Sequence, residues 1–213
     1  MQRNNTYYID GLLRQANAAY ARKYLGLGDD DVVNFGYINQ TIPLWNDVRI
    51  PMASLRPNPS SAPVSDTFVG GSTRAWRWQS AGPNPRRLDF ELQIPHGFNE
   101  DVSYGIRIHI HWACGLASPA NTVGWYMDAT ATNVGGTFGA PITYGPVALA
   151  PTGAFHHMLT PIHTFTGFHE SAVIVGNIYR DILDAYAGDD VFGLSLDAHY
   201  VVQKTGSLDE MGD

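Results

Sequence analysis

The chain has 213 residues, 44% of them hydrophobic, so it is long enough to bury the core of one domain. Its formal net charge of -7 argues against a nucleic-acid surface, which needs a clustered excess of Lys and Arg. The sequence has no apolar run long enough to cross a bilayer and no signal peptide, so we expect neither membrane insertion nor export. The single cysteine, Cys114, agrees with assembly in a reducing compartment.

The first 63 residues are predicted to form an arm that precedes the main domain. An apolar stripe at steps of three and four residues predicts an amphipathic helix over residues 8–24, ended by Gly26 and Gly28. The stripe consists of Ile9, Leu12, Leu13, Ala16, Tyr20 and Tyr24. Prolines then interrupt an extended stretch up to residue 63, which disfavours a regular central strand. We predict that residues 1–63 reach a neighbouring subunit; the alternative is that the helix packs on its own domain.

Residues 64–213 show the pattern of an all-β body. The 22 glycines and 13 prolines of the chain favour short strands joined by tight turns. Eight segments rich in aromatic and β-branched residues are separated by turn-forming clusters and are predicted to be strands. They cover residues 75–79, 88–94, 104–112, 123–132, 142–147, 157–164, 172–179 and 192–202. Eight strands in a body of this size predict a jelly roll or a β-sandwich.

Histidine and aspartate occupy alternate positions in two of the predicted strands. Because successive side chains of a strand point to opposite faces, His109 and His111 share one face while Ile110 lies on the other. The same period puts Asp197 and His199 together. Such a face is a metal site, a ligand surface or a buried polar seam. We predict a structural, hydrogen-bonded seam with no metal and no cofactor. Its predicted members are His96, His109, His111, Asp197 and His199.

The sharpest enzymatic alternative is a cupin-like metalloenzyme. Gly105 followed by His109 and His111 resembles the start of the cupin signature, in which His-x-His supplies two imidazoles and a following Glu supplies a carboxylate. No Glu follows here, so the third ligand would have to come from Asp197 or His199. The sequence also lacks the Gly-x-Ser-x-Gly motif of a serine nucleophile. We therefore predict no catalytic residues and no enzyme activity.

Seven short motifs are spread along the chain from residue 46 to residue 207. They are Asn46-Asp47-Val48-Arg49-Ile50-Pro51, Ile94-Pro95-His96, His109-Ile110-His111-Trp112, Asn133-Val134-Gly135-Gly136, Asp184-Ala185-Tyr186-Ala187-Gly188-Asp189, Leu196-Asp197-Ala198-His199-Tyr200 and Gly206-Ser207. The set resembles a family of tailed-bacteriophage virion proteins, which show a Leu-Pro-His turn, a His-Val-His-Trp strand and an Asp-Phe-His-Tyr strand. The family often has a His-Pro ahead of its His-x-His strand, where this chain has Arg107 and Ile108.

The resemblance implies a non-enzymatic structural component of a virion. We expect a decoration or cement protein on the capsid surface first, and a tail or fibre attachment protein second. A carbohydrate-binding receptor module is the alternative from another functional class. Because symmetric closure buries exposed strand edges, we expect a homotrimer whose partners are its own copies and the major capsid protein or other virion proteins. Its expected location is the virion, after assembly in the host cytoplasm.

Overall fold

The computed structural model describes residues 44–79, 84–100, 104–116, 121–186, 188 and 190–202. The predicted helix over residues 8–24, with its apolar stripe, lies outside these residues. The strands in the described part of the chain are β1 (Trp45–Pro51), β2 (Arg56–Pro57), β3 (Val64–Thr67), β4 (Arg74–Trp78), β5 (Arg87–Gln93), β6 (Ile106–Cys114), β7 (Val123–Thr132), β8 (Ile142–Leu149), β9 (Met158–Phe165), β10 (Val173–Arg180) and β11 (Val191–Val201). A 3₁₀ turn at Met52–Ser54 is the one helical element described, and no described helix has the length and hydropathy to cross a membrane.

The strands form two antiparallel sheets that share one core. Sheet A has the order β3-β4-β11-β6-β9, with β1 also paired to β11, and sheet B has the order β2-β5-β10-β7-β8. From β4 to β11 the chain thus divides into the four-strand sets β4-β11-β6-β9 and β5-β10-β7-β8. This is the strand order of a jelly roll, which is built from two Greek keys. The predicted all-β class and two-sheet body are confirmed.

The eight strands predicted from the sequence correspond to β4 through β11, and each end lies within two residues of its predicted position. The strand predicted over residues 172–179 runs from Val173 to Arg180 and is followed by a turn. Aromatic and β-branched residues in alternation, bounded by Gly, Pro and Asn, were sufficient to locate these strands.

The predicted boundary between arm and body at residue 63 differs from the structure. The described residues from Trp45 onward belong to one compact unit, and β1 pairs with β11 along its whole length, from Trp45 opposite Val201 to Pro51 opposite Ser195. Proline density did not prevent this pairing, because β1 is bonded to β11 on one side and lies off the main path of sheet A. A strand with a free side tolerates proline where a central strand does not.

The core lies between the two sheets and is centred on tryptophan. Trp78, Trp112 and Trp125 are fully buried, and the rings of Trp78 and Trp125 meet edge to face with centroids 5.2 Å apart. Burying a large apolar side chain contributes about 1.5–3 kcal/mol, so these three rings supply a substantial share of the driving force. The indole N–H of Trp112 donates to Oγ1 of Thr160 at 2.9 Å, which satisfies its polar atom.

Candidate functional site

The candidate site is a group of polar side chains on the outer face of sheet A. Three adjacent strands carry six of its seven residues, because β11 pairs with β6 on one side and with β1 on the other, and the seventh residue directly precedes β9. Asp197 lies opposite His109 of β6 and also opposite Arg49 of β1. His199 lies opposite Asp47. We call this group the outer histidine cluster; its members are Asp47, Arg49, His109, His111, His157, Asp197 and His199.

An irregularity in β11 decides which residues reach this face. The pairing of β11 with β6 shifts register between Gly193 and Ser195. After the shift, Leu196, Ala198 and Tyr200 belong to the buried core, so the residues alternating with them point outward. Strict alternation from Val191 and Gly193 would instead direct Asp197 and His199 into the apolar core. The bulge therefore places the carboxylate of Asp197 beside the imidazoles of β6.

Asp197 is the central residue of the cluster, and its side chain is 1% exposed. Its Oδ2 atom lies 3.3 Å from Nε of Arg49 and 3.0 Å from Nε2 of His111. Arg49 donates a hydrogen bond, whereas His111 Nε2 lies at ion-pair distance without hydrogen-bond alignment. The second oxygen, Oδ1, is buried and has no hydrogen-bond partner among the described residues. A buried carboxylate oxygen without a partner costs free energy, which makes this atom a candidate ligand.

The histidines of the cluster are paired with one another. His111 Nδ1 lies 2.6 Å from Nε2 of His157, so one of these two rings donates to the other. The rings of His109 and His199 meet edge to face with centroids 4.4 Å apart. Nδ1 of His109 is buried and without a hydrogen-bond partner in the described part of the chain.

Burial and neighbouring charge keep two of these imidazoles neutral. Burial, together with the adjacent His199 and His111, lowers the pKa of His109 to about 4. Burial also lowers the pKa of His111, and the opposing attraction of Asp197 does not cancel that effect. At neutral pH both rings are therefore uncharged, and each has a nitrogen lone pair that can accept a proton or bind a metal ion.

Four of the five residues predicted to form the seam are brought together in this cluster, and one is not. His96 is partly exposed and contacts a different set of groups, with Nδ1 3.8 Å from Oε2 of Glu170 and Nε2 3.3 Å from the hydroxyl of Ser171. His96 lies in the loop after β5, whereas the other four predicted residues lie on β6 and β11.

Sequence reasoning missed Asp47, Arg49 and His157 as members of the site. Ligand atoms of Asp47, Asp197 and His199 all lie within 4.8 Å of one another. The signal was present in the alternation of Asp47 and Arg49 with Val48 and Ile50, which pack against the core. The prolines of the surrounding stretch obscure this strand pattern.

An open groove borders the cluster on the side of β9. It has a volume of about 630 Å³ and is lined by Tyr104, Arg107, His109 and residues 161–164. The guanidinium of Arg107 lies over the ring of Trp45, 4.4 Å from its centroid. The groove gives solvent a route to His109.

The outer face of sheet B carries a second ordered set of polar and aromatic side chains. Arg87, Tyr179 and Tyr126 lie opposite one another on β5, β10 and β7, and the two tyrosine rings stack with centroids 5.3 Å apart. Arg87 stacks over Tyr179 at 3.9 Å and forms an ion pair with Asp128, while its guanidinium also bonds Asn177 at 2.6 Å. These contacts fix the orientation of both rings.

Comparison with known proteins gives no family for this chain. No protein-family model matches the sequence, and no curated protein is similar to it. Among solved structures, the chain is similar to the CBM36-1 domain of a multidomain xylanase from the hindgut metagenome of Trinervitermes trinervoides. The identity is 10% and the TM-score is 0.34, and the match covers 72% of this chain and 96% of that chain.

Two further solved structures show a similar degree of likeness. The carbohydrate-binding module TmCBM61, solved in complex with beta-1,4-galactotriose, has 11% identity, with 75% of this chain and 88% of that chain covered and a TM-score of 0.31. The insecticidal delta-endotoxin Cry8Ea1 of Bacillus thuringiensis has 16% identity and a TM-score of 0.37. The match covers 74% of this chain and 24% of the endotoxin chain. At these values the likenesses carry no argument about the function of this chain.

Proposed function

We propose that this protein is a non-enzymatic structural component of a tailed-phage virion that associates with copies of itself. The seven motifs that resemble virion proteins support this role. The observation that carries it in the fold is the position of two open sheet edges. β9 is the last strand of sheet A and β8 is the last strand of sheet B along the described strand order. An open strand edge offers unpaired backbone groups to another chain.

These two edges lie on the same side of the jelly roll. Tyr144 of β8 stacks on His163 of β9 with centroids 3.8 Å apart, and its ring also meets Phe165. Apolar side chains project from the same strands into solvent, with Ile142 60% exposed and Leu159 40% exposed. Exposed apolar side chains beside unpaired strand edges are typical of an interface. We call this side the β8–β9 edge.

A second copy of the chain is the expected occupant of the β8–β9 edge. Stable interfaces bury roughly 1,200–2,000 Å² in total, and one edge strand from each sheet with its flanking loops is of suitable size. A closed trimer would bury this edge in every subunit. An open series of subunits would leave the edge exposed at its ends.

Sedimentation or light scattering tests self-association. We expect the full chain to form a trimer and a variant with Ile142→Glu and Leu159→Glu to shift to the monomer, because each carboxylate would be buried at the contact. Leu183→Glu is the matched control, since Leu183 is 86% exposed on the turn after β10. A wild-type monomer across a wide concentration range, or equal loss in the control, contradicts the association.

Within the particle, we place the protein on the capsid surface as a decoration or cement protein bound to the major capsid protein. Mass spectrometry of purified particles should find the chain at a fixed ratio to the major capsid protein, and a particle reconstruction should place the jelly roll on the capsid lattice. Density at the tail or fibre would instead select the attachment role. Absence from washed particles would overturn the virion role altogether.

Carbohydrate binding is the second candidate function, favoured by the outer face of sheet B. Tyr126 is half-buried and its ring is held by stacking on the buried Tyr179, beside Arg87, Asp128 and Asn177. A fixed aromatic ring beside polar groups is suited to a ligand with hydroxyl groups. A glycan array with wild type and Tyr126→Ala tests it. Binding of one glycan class by the wild type, lost in Tyr126→Ala, would support this role. If the wild type binds no glycan, carbohydrate binding is excluded.

A further inference from the structure

We propose that Asp47, Asp197 and His199 bind one divalent transition-metal ion, with zinc as the representative ion. The three residues come from two neighbouring strands, and ligand atoms from all three lie within 4.8 Å of one another. The register explains the closeness, because Asp47 lies directly opposite His199 and Asp197 is two residues from His199 on the same face. This site is independent of the self-association proposed above.

The buried oxygen of Asp197 that lacks a partner among the described residues is suited to bind a cation. Its Oδ2 atom is engaged by Arg49, but Oδ1 has no hydrogen-bond partner among the described residues, although the side chain is 1% exposed. Asp47 brings a second carboxylate to the same place, and two nearby negative charges repel unless a cation lies between them. Among the described residues, one guanidinium on one oxygen leaves the other oxygen of Asp197 and the carboxylate of Asp47 without a positive partner in the site. A divalent ion would satisfy both carboxylates at once.

The donor set selects the class of ion. Two carboxylates and one imidazole form a mixed oxygen and nitrogen set, which suits zinc and its neighbours in the first transition row. Calcium and magnesium prefer oxygen ligands alone, so the imidazole of His199 argues against them. His109 lies edge to face on His199 and is a positioning residue, because it restricts the orientation of the liganding ring.

Access to the site is open on one side. Asp47 is exposed on β1, while Asp197 is buried beneath Arg49, so an ion can enter from solvent and meet the buried oxygen last. Three protein ligands leave at least one coordination position for water or for a group from a neighbouring molecule. This arrangement differs from a cupin-like site, in which His109 and His111 would both be ligands. Here His111 contacts His157 and Oδ2 of Asp197, and it is not one of the three proposed ligands.

Calorimetric titration of the full chain with zinc chloride, after treatment with chelator and with no histidine tag, tests the site. We expect one ion per chain, and loss of affinity of more than about 10-fold in Asp47→Asn, since even outer-shell partners cost that much. Asp47 is exposed, so this variant keeps the fold; Asp197→Asn and His199→Ala should give the same loss. Addition of cobalt should give a visible absorption spectrum that Asp47→Asn removes.

Two matched controls separate a built site from binding to surface side chains. Asp66→Asn removes an exposed carboxylate that pairs with Arg77, and His156→Ala removes an exposed imidazole. Neither change should alter the number of ions or their affinity. Binding that is absent, that exceeds one ion per chain without saturation, or that falls equally in the controls and in Asp47→Asn would overturn the site.

Discussion

Arg180 and Asp184 form a buried bidentate ion pair at the end of β10, with Nε to Oδ2 and Nη2 to Oδ1 each at 2.7 Å. The two side chains are 1% and 3% exposed. The guanidinium also donates to the carbonyls of Trp78, Tyr186 and Gly188, so it ties β4 to the turn that leads into β11. Asp184 is the first residue of the Asp184–Asp189 motif noted in the sequence, so its pairing with Arg180 gives that residue a structural role.

Removal of the guanidinium should therefore destabilise the whole body. Arg180→Met leaves Asp184 as a buried charge without its guanidinium partner and removes the hydrogen bonds to three carbonyls, so we expect a loss of about 3–5 kcal/mol in the free energy of unfolding. Urea unfolding followed by tryptophan fluorescence measures it. Arg74→Met is the control, because Arg74 is exposed and bonds only Ser65 in the described structure. A loss in Arg180→Met no larger than in the control would disprove the structural role.

Gly193 is required by the close packing of Trp78 across β4 and β11. A Cβ atom at this position would lie 2.5 Å from Cζ3 of Trp78 and 3.1 Å from Cε of Met52. Trp78 is fully buried and its indole donates to the carbonyl of Arg86 at 2.8 Å, so the ring has no space to move. We expect Gly193→Ala to cost about 1–3 kcal/mol by overpacking. Thermal unfolding should show no comparable change for Gly139→Ala, because a Cβ atom added at Gly139 would have no heavy atom within 4 Å.

The strands of the body could be predicted from the sequence, while the composition of the site could be predicted only in part. Strand periodicity correctly predicts that His109 and His111 share one face, because β6 alternates regularly between its two faces. The contribution of Asp47 was hidden because the chain from 45 to 63 is rich in proline, and strand pairing is a long-range property that local composition does not encode. The bulge in β11 likewise has no local signature beyond Gly193.

His111 supports the cluster through contacts on both ring nitrogens. Its Nδ1 atom pairs with His157 and its Nε2 atom lies 3.0 Å from Asp197. Replacement by alanine should leave both partners less satisfied and cost roughly 1–3 kcal/mol. Urea unfolding measures the loss, and His156→Ala, an exposed neighbour, should change the free energy of unfolding little. Because His111 is outside the three-residue metal set, zinc stoichiometry should survive this change.

Asp128 makes the stability of sheet B depend on pH. Burial alone would raise its pKa, but hydrogen bonds from Thr143, Arg87 and Tyr179 outweigh burial and hold the pKa below its ordinary value. A carboxyl whose folded pKa is lowered contributes stability above its unfolded pKa of about 3.9 and loses it as pH falls through the folded pKa. We expect the free energy of unfolding to fall below about pH 4, and Asp128→Asn to reduce that fall. A pH dependence in Asp128→Asn equal to that of the wild type would contradict this role.

The part of the arm that precedes β1 is predicted to attach the protein to its neighbours and to be dispensable for folding of the body. The compact unit begins at Trp45, and β1 covers Asp197 through Arg49. A chain of residues 44–213 should therefore unfold at nearly the same temperature as the full chain yet fail to join particles. A chain of residues 64–213, cut at the boundary suggested by the sequence, loses β1 and should be clearly less stable, because the buried carboxylate of Asp197 loses its guanidinium partner.

A double change within the full chain separates attachment from folding. Replacing Leu12 and Leu13 with Asp puts two charges on the apolar stripe, which must be buried for a short amphipathic helix to be stable. We expect unchanged thermal unfolding of the body and loss of incorporation into particles, matching the 44–213 chain. Gln15→Asp is the control, because Gln15 is outside the apolar stripe of the predicted helix. If the 44–213 chain aggregates or unfolds while the full chain protects residues 8–24 from proteolysis as an isolated subunit, the arm is part of the folded body and the attachment role is wrong.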